Sequence, residues 1–173
     1  MSHRYFFALW PDAATRDRLA AIGAQLSPGT GKPVNRDNLH ITLSFLGPRD
    51  AAVVEKLRKG AAEIQGRAFK LQLDQSGWWR KPQVAWLGTA QPPPALLELA
   101  AALNRLLTVH GIRPDDRPFA AHLTIARKVT KQPRGFAFDY VIWPISSFCL
   151  VQSRTLPAGA EYEVIATWPL SSD

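Results

Sequence analysis

The chain has 173 residues, 46% of them hydrophobic and 20% charged, which suits one globular domain burying about 70% of its unfolded surface without a disulfide or a structural metal. One cysteine, Cys149, excludes an internal disulfide, and no apolar run reaches the roughly 18 residues that span a bilayer. Lys and Arg number 21 against 14 Asp and Glu, and the formal charge of +7 favours a polyanionic partner, nucleic acid first.

Residues 4–10 predict a strand, and Pro11 and Asp12 open a helix over 13–26 with Asp12 as its N-cap. The first residues hold only a short apolar segment and no small-residue cleavage pattern, so no secretory leader is expected and the protein is placed in the cytoplasm. Pro28, Gly29, Gly31 and Pro33 break the helix, and a strand over 39–46 follows, ended by Gly47 and Pro48. Asp50 then caps an amphipathic helix reaching about Gln65. Phe69, Leu71 and Leu73 alternate in a strand and 84–87 form another, with 77–82 as the loop between them. Pro92, Pro93 and Pro94 lead into a long helix over 95–109, and 111–118 is irregular. A strand follows from 121 to about 127, and two more are expected near 146–153 and 161–168. Cys149, between Phe148 and Leu150, reads as a buried apolar residue.

Two of these strands repeat one motif: His40-Ile41-Thr42-Leu43 and His122-Leu123-Thr124-Ile125. Residues i and i+2 of a strand share a face, so each segment presents an imidazole beside a hydroxyl. With 9 Thr in the chain, two of the 4 His gain a Thr at i+2 in roughly 2% of shuffled sequences, so coincidence is a poor account of the pair. His3 and His110 lack the pattern. Alternation groups Phe45 with the apolar stripe of Leu39, Ile41 and Leu43, and sets Arg127 on the face opposite Thr124 unless a bulge intervenes. The motifs lie 122 − 40 = 82 residues apart, close to half the chain, as if two related lobes each gave one strand to a shared cleft. No linker separates them, so residues 1–173 are expected to form a single domain of two pseudo-repeated lobes.

Two histidines with ordinary pKa values near 6.5 can hold opposite protonation states around neutral pH and so supply an acid and a base. No short-range cluster of carboxylates, histidines or cysteines suggests a metal site, and no cofactor is implied. Basic residues gather at Arg80 and Lys81 and again at Arg127, Lys128, Lys131 and Arg134. Trp78 and Trp79 beside the first group suit either stacking on single-stranded RNA or sealing an interface between lobes. A non-catalytic RNA-binding module would account for the charge and the aromatics, but it leaves the paired motif unexplained.

Beyond the motifs, Phe6-Phe7-Ala8-Leu9-Trp10-Pro11, Asn38 through Gly47, Val84 through Gly88, Arg117-Pro118-Phe119, His122 through Arg127 and Trp168-Pro169-Leu170 make the chain similar, over essentially its whole length, to the 2H phosphoesterase superfamily. Within it the chain resembles the RNA 2',3'-cyclic phosphodiesterases, also called 2'-5' RNA ligases. The resemblance implies an α+β, bilobal fold with two antiparallel sheets around a central, positively charged groove and helices packed outside. It implies hydrolysis of RNA ending in a 2',3'-cyclic phosphate to a 2'-phosphomonoester, with His40 as general acid on the 3' oxygen and His122 as general base on water. Thr42 and Thr124 would donate to the phosphoryl oxygens, Arg127 would approach the phosphate, and Phe45 would stack on the terminal base. No metal, cofactor, membrane or protein partner is implied, a monomer is expected, and the reverse reaction would give weak 2'-5' ligation. Other members of the superfamily act on small cyclic phosphates or 2',5'-linked oligonucleotides, which stand as alternative substrates.

Overall fold

Asp12 and Asp50 each accept a hydrogen bond from the amide three residues on, Thr15 N at 2.7 Å and Val53 N at 2.9 Å, and so start α1 (Ala13–Ala24) and α2 (Ala51–Ala62). Such a cap satisfies an amide that has no partner inside the helix and contributes about 1 kcal/mol. The last helix, α3 (Pro94–Val109), begins on a proline, whose missing N–H would be unpaired there in any case. It buries Leu96, Leu99, Ala100, Leu103 and Leu107 along one stripe. The computed structural model describes residues 3–26, 31–134 and 136–172; the Pro28–Thr30 part of the expected helix-breaking segment lies outside them.

Among the described residues ten strands form two antiparallel sheets. The strands are β1 (Arg4–Leu9), β2 (Lys32–Pro33), β3 (Ile41–Pro48), β4 (Phe69–Leu73), β5 (Gln75–Trp79), β6 (Val84–Gly88), β7 (His122–Arg127), β8 (Val141–Ile145), β9 (Ser147–Leu156) and β10 (Gly159–Pro169). The large sheet runs β10-β9-β1-β3-β7-β6-β5, with β2 also on β7, while β4 and β8 make the small one. The two motif strands are therefore neighbours at the centre of the large sheet. Among the described residues they meet at one pair, Ile41 opposite Leu123, both fully buried.

The helices cover one face of this sheet. Helix α1 leaves from β1 but packs on β7, where its Gly23 lies against the Ile125 carbonyl; a Cβ there would sit 3.4 Å from that oxygen. Helix α3 leaves from β6 but packs on β3, tied to it by the hydrogen bond from Ser44 Oγ to Asn104 Oδ1 at 2.9 Å. The apolar core of Leu19, Ile22, Leu43, Leu46, Leu103, Leu123 and Ile125 fills the space between. Each of these leucines and isoleucines contributes about 1.5–3 kcal/mol by leaving water. The opposite face, free of helices, carries both motifs.

Several elements differ from the sequence expectation. The 77–82 segment was expected as a loop, yet β5 spans Gln75–Trp79 and pairs in register with β6. Glycine at 77 weakens the strand signal, but here it is required: a Cβ at Gly77 would collide with the Trp86 indole. Strand β8 also escaped notice because Pro144 interrupts it; it pairs with β4 alone, where a residue without an N–H is tolerated. The helices end two or three residues earlier than expected, at Ala24 and Ala62.

Candidate active site

Backbone carbonyls hold both motif histidines. His40 Nδ1 donates to the Asn38 carbonyl at 2.6 Å, and His122 Nδ1 donates to the Ala120 carbonyl at 2.9 Å. A carbonyl only accepts, so each ring carries a proton on Nδ1 and leaves Nε2 as its working nitrogen. In both cases the carbonyl belongs to the residue two before the histidine. The Asn38 carbonyl is itself positioned by a single 3-10 turn, Arg36–Asn38, capped by the Asn35 side chain on Asp37 N at 2.9 Å and anchored by Asn38 Nδ2 on the Ala160 carbonyl at 3.1 Å. His40 Nε2 lies 3.1 Å from Thr42 Oγ1, whose hydroxyl donates to the neutral ring.

Both motif strands bulge just after the threonine. Against β1, Thr42 pairs with Ala8 and Ser44 with Phe7, so Leu43 is skipped. Against β6, Thr124 pairs with Trp86 and Ala126 with Ala85, so Ile125 is skipped. An extra residue reverses the alternation beyond it. Leu43 and Ser44 are consecutively buried, as are Ile125 and Ala126. Phe45 and Arg127, each five residues after its histidine, consequently fall on the histidine face.

This corrects the placement of Phe45 in the core by strict alternation: Phe45 is 57% exposed and stands opposite Phe6, whose ring stacks on His40 at 4.9 Å. It also resolves the conflict over Arg127, which stands exposed on the same face as Thr124 and close enough for its charge to act on His40.

Aromatic rings hold each imidazole. Phe6, Trp10 and Tyr162 surround His40 at centroid distances of 4.9, 5.3 and 5.2 Å, the first two stacked and the third edge-on. Trp79 meets His122 edge-on at 4.7 Å and is backed by Trp86 at 5.2 Å. Burial is the largest influence on His40 and pushes its pKa down to about 4, opposed by the bond to Asn38 and reinforced electrostatically by Arg127 and His122. At neutral pH the His40 ring is therefore uncharged. Among the described residues, no group of three or more His, Cys, Asp or Glu converges as a metal site would require.

The family model described as the 2'-5' RNA ligase superfamily matches residues 11–160. The chain is 35% identical to the RNA 2',3'-cyclic phosphodiesterase of Escherichia coli (strain K12) over 97% of each chain. It is 32% identical to the enzyme of that name from Archaeoglobus fulgidus, covering 92% of this chain and 96% of the relative. The chain belongs to the 2'-5' RNA ligase superfamily. Its fold matches the crystal structure of E. coli LigT in apo form with a TM-score of 0.88 at 31% identity over 99% of each chain, and that of LigT with 3'-AMP with a TM-score of 0.89.

Several residues of this superfamily site were missed in the sequence. Phe6 and Trp10 gave no signal because residues 5–10 are apolar throughout, and Tyr162 gave none because only the pairing of β10 with β9 and of β9 with β1 brings it beside Phe6. The tryptophan pair, read as one unit, is split by alternation: Trp79 faces His122, whereas Trp78 Nε1 donates to the Val129 carbonyl at 2.8 Å and seals the structure. Cys149 is buried as expected; its Sγ contacts the Ala8 carbonyl at 3.4 Å, and burial pushes the thiol up to about 12.

Proposed function

We propose that this member of the 2'-5' RNA ligase superfamily hydrolyses RNA ending in a 2',3'-cyclic phosphate to a 2'-phosphomonoester, using His40 and His122 as its acid and base. The observation that carries this reading is the matched pair: two imidazoles on adjacent strands, each fixed through Nδ1 to a carbonyl and each followed at i+2 by a threonine on the same face. Names of relatives at 35% and 32% identity point to the same reaction.

Water attacks phosphorus while the base removes its proton; the bond from phosphorus to the 3' oxygen breaks, and the acid protonates that oxygen. Negative charge gathers on the phosphoryl oxygens meanwhile, where the Thr42 and Thr124 hydroxyls can donate and Arg127 supplies a cation. Phe45, exposed on the same face, offers a surface for the terminal base. In the free site His40 is neutral, so its acid role, which rests on resemblance, requires the substrate's own negative charge to offset burial and the charge of Arg127 and bring a proton onto Nε2.

The same displacement with a 5'-hydroxyl in place of water, the 3' oxygen again leaving, needs the same acid and base, so weak 2'-5' ligation accompanies hydrolysis. We further read the chain as a single monomeric domain of two related halves, working in the cytoplasm. No helix among the described residues is long and apolar enough to cross a membrane.

The experiment is hydrolysis of a short cyclic-phosphate RNA in EDTA with identification of the product end. Release of a 2'-phosphate that depends on both histidines is expected. A 3'-phosphate product would overturn the assigned leaving oxygen, and turnover that survives loss of either histidine would overturn the mechanism.

A further inference from the structure

We propose that the histidine face of the sheet takes its RNA in one direction: from the histidine pair, the phosphates upstream of the cyclic end run over a cation cluster made of Lys32, Arg80, Lys81, Arg127 and Lys128. This inference rests on the phosphodiesterase reading above and extends it to the rest of the substrate.

Three segments remote in sequence are stitched together where β7 ends. Lys32 on β2 stands directly opposite Arg127. The Val129 amide donates to the Gln83 carbonyl at 2.9 Å, and the Gln83 amide donates to the Trp79 carbonyl at 3.0 Å, closing the β5–β6 turn that carries Arg80 and Lys81. Trp78 Nε1 adds its bond to the Val129 carbonyl at 2.8 Å. Gln83 and Lys128 both take left-handed backbone, with φ of 68° and 57°, so the turn and the exit from β7 have defined shapes. Arg80 and Lys81 are thus held beside the strand end that carries Arg127.

All five cations are exposed, and none forms an ion pair among the described residues, although ion pairs engage Arg16, Arg36, Arg58, Arg67, Arg113, Arg117 and Arg154 elsewhere. The three contributing stretches, 31–36, 75–97 and 117–138, contain no Asp or Glu. A solvated surface normally interleaves charges of both signs, and a one-sign cluster repels itself until a polyanion arrives. At the far end of β3 the cations are fewer: Arg4 pairs with Pro48, and Arg49 follows it with Nη1 on the Pro48 carbonyl at 3.0 Å.

The substrate chemistry gives direction a meaning. A cyclic end uses both the 2' and the 3' oxygen of the last ribose, so the remaining chain can leave only through the 5' oxygen. There is one polyanionic strand to place and one strongly cationic exit.

The test compares kcat and KM for a nucleoside 2',3'-cyclic phosphate and for the same terminus on a di-, tetra- and octanucleotide, in the wild type, Lys81→Glu and the charge-matched Arg4→Glu. In the wild type KM is expected to fall about tenfold or more with length while kcat stays flat, and the salt dependence of log KM is expected to steepen by about 0.7 per phosphate engaged. Lys81→Glu loses most of that length gain; Arg4→Glu keeps it. A KM independent of length, or an equal loss in Arg4→Glu, overturns the directional track. Absence of turnover on every cyclic substrate, the mononucleotide included, overturns the phosphodiesterase reading itself and the track with it.

Discussion

His40 and His122 are held alike, each through Nδ1 to the carbonyl two residues before it. Replacing either by alanine is expected to lower kcat by about 10²–10⁴-fold or more, with the circular dichroism of the fold unchanged. Thr42→Ala and Thr124→Ala are expected to cost about ten- to a thousandfold, as the loss of one donor to developing charge does, seen mainly in kcat. The depressed pKa of His40 also links stability to pH. The unfolded chain takes up this proton near 6.5 and the folded one only near 4, so between those values the unfolded state holds more protons and stability falls as pH is lowered. Melting temperature is therefore expected to drop from pH 7 to pH 5, less steeply in His40→Asn; an equal drop in that variant would remove His40 as the cause. Addition of inorganic phosphate is expected to raise the His40 pKa, read by histidine NMR titration. A value that stays near 4 with phosphate bound would exchange the acid and base roles. At this scale the sequence was legible in setting each imidazole on one face with a hydroxyl, whereas the burial that neutralises His40 depends on Phe6 of β1, Trp10 just beyond it and Tyr162 of β10.

Register decides what the strands present. In both motif strands the residue after the threonine is skipped by the neighbouring strand, and this alone brings Phe45 and Arg127 to the working face. Period-two reading of one strand cannot find such a step, because a bulge is a property of a pair of strands. The caps at Asp12 and Asp50, by contrast, are local hydrogen bonds between a side chain and an amide three residues away, and they were readable in advance. Trp86 shows how closely one strand depends on the next: its indole lies across Gly77 on β5 and near Gly88 at the end of β6, in space a Cβ would need. Gly77→Ala is expected to push Trp86 aside, lower stability by about 1–3 kcal/mol, and reduce kcat through Trp79 and His122. Thermal melts and steady-state kinetics on the one variant check both effects, and unchanged kcat would separate the aromatic backing from catalysis.

The whole molecule turns on the seam between β3 and β7, where Ile41 and Leu123 form the pair that sets the two histidines side by side. Ile41→Ala and Leu73→Ala both truncate fully buried side chains and are each expected to cost about 2–5 kcal/mol. Only the first should also lower kcat at a temperature where both variants are folded. An equal effect from Leu73→Ala would show that general loosening suffices. The two antiparallel sheets were legible through the family resemblance, but the meeting of both motif strands in one continuous sheet was not, since a single pair across the seam leaves no periodic trace. The crossing of the helices has its own consequence. Because α1 departs from β1 to cover β7, and α3 departs from β6 to cover β3, neither half of the chain owns its lid. Cut near residue 90, the polypeptide would give two fragments with naked half-sheets rather than two small enzymes, and only by trading helices in a common solution could they close again. Autonomy belongs to the interlocked whole.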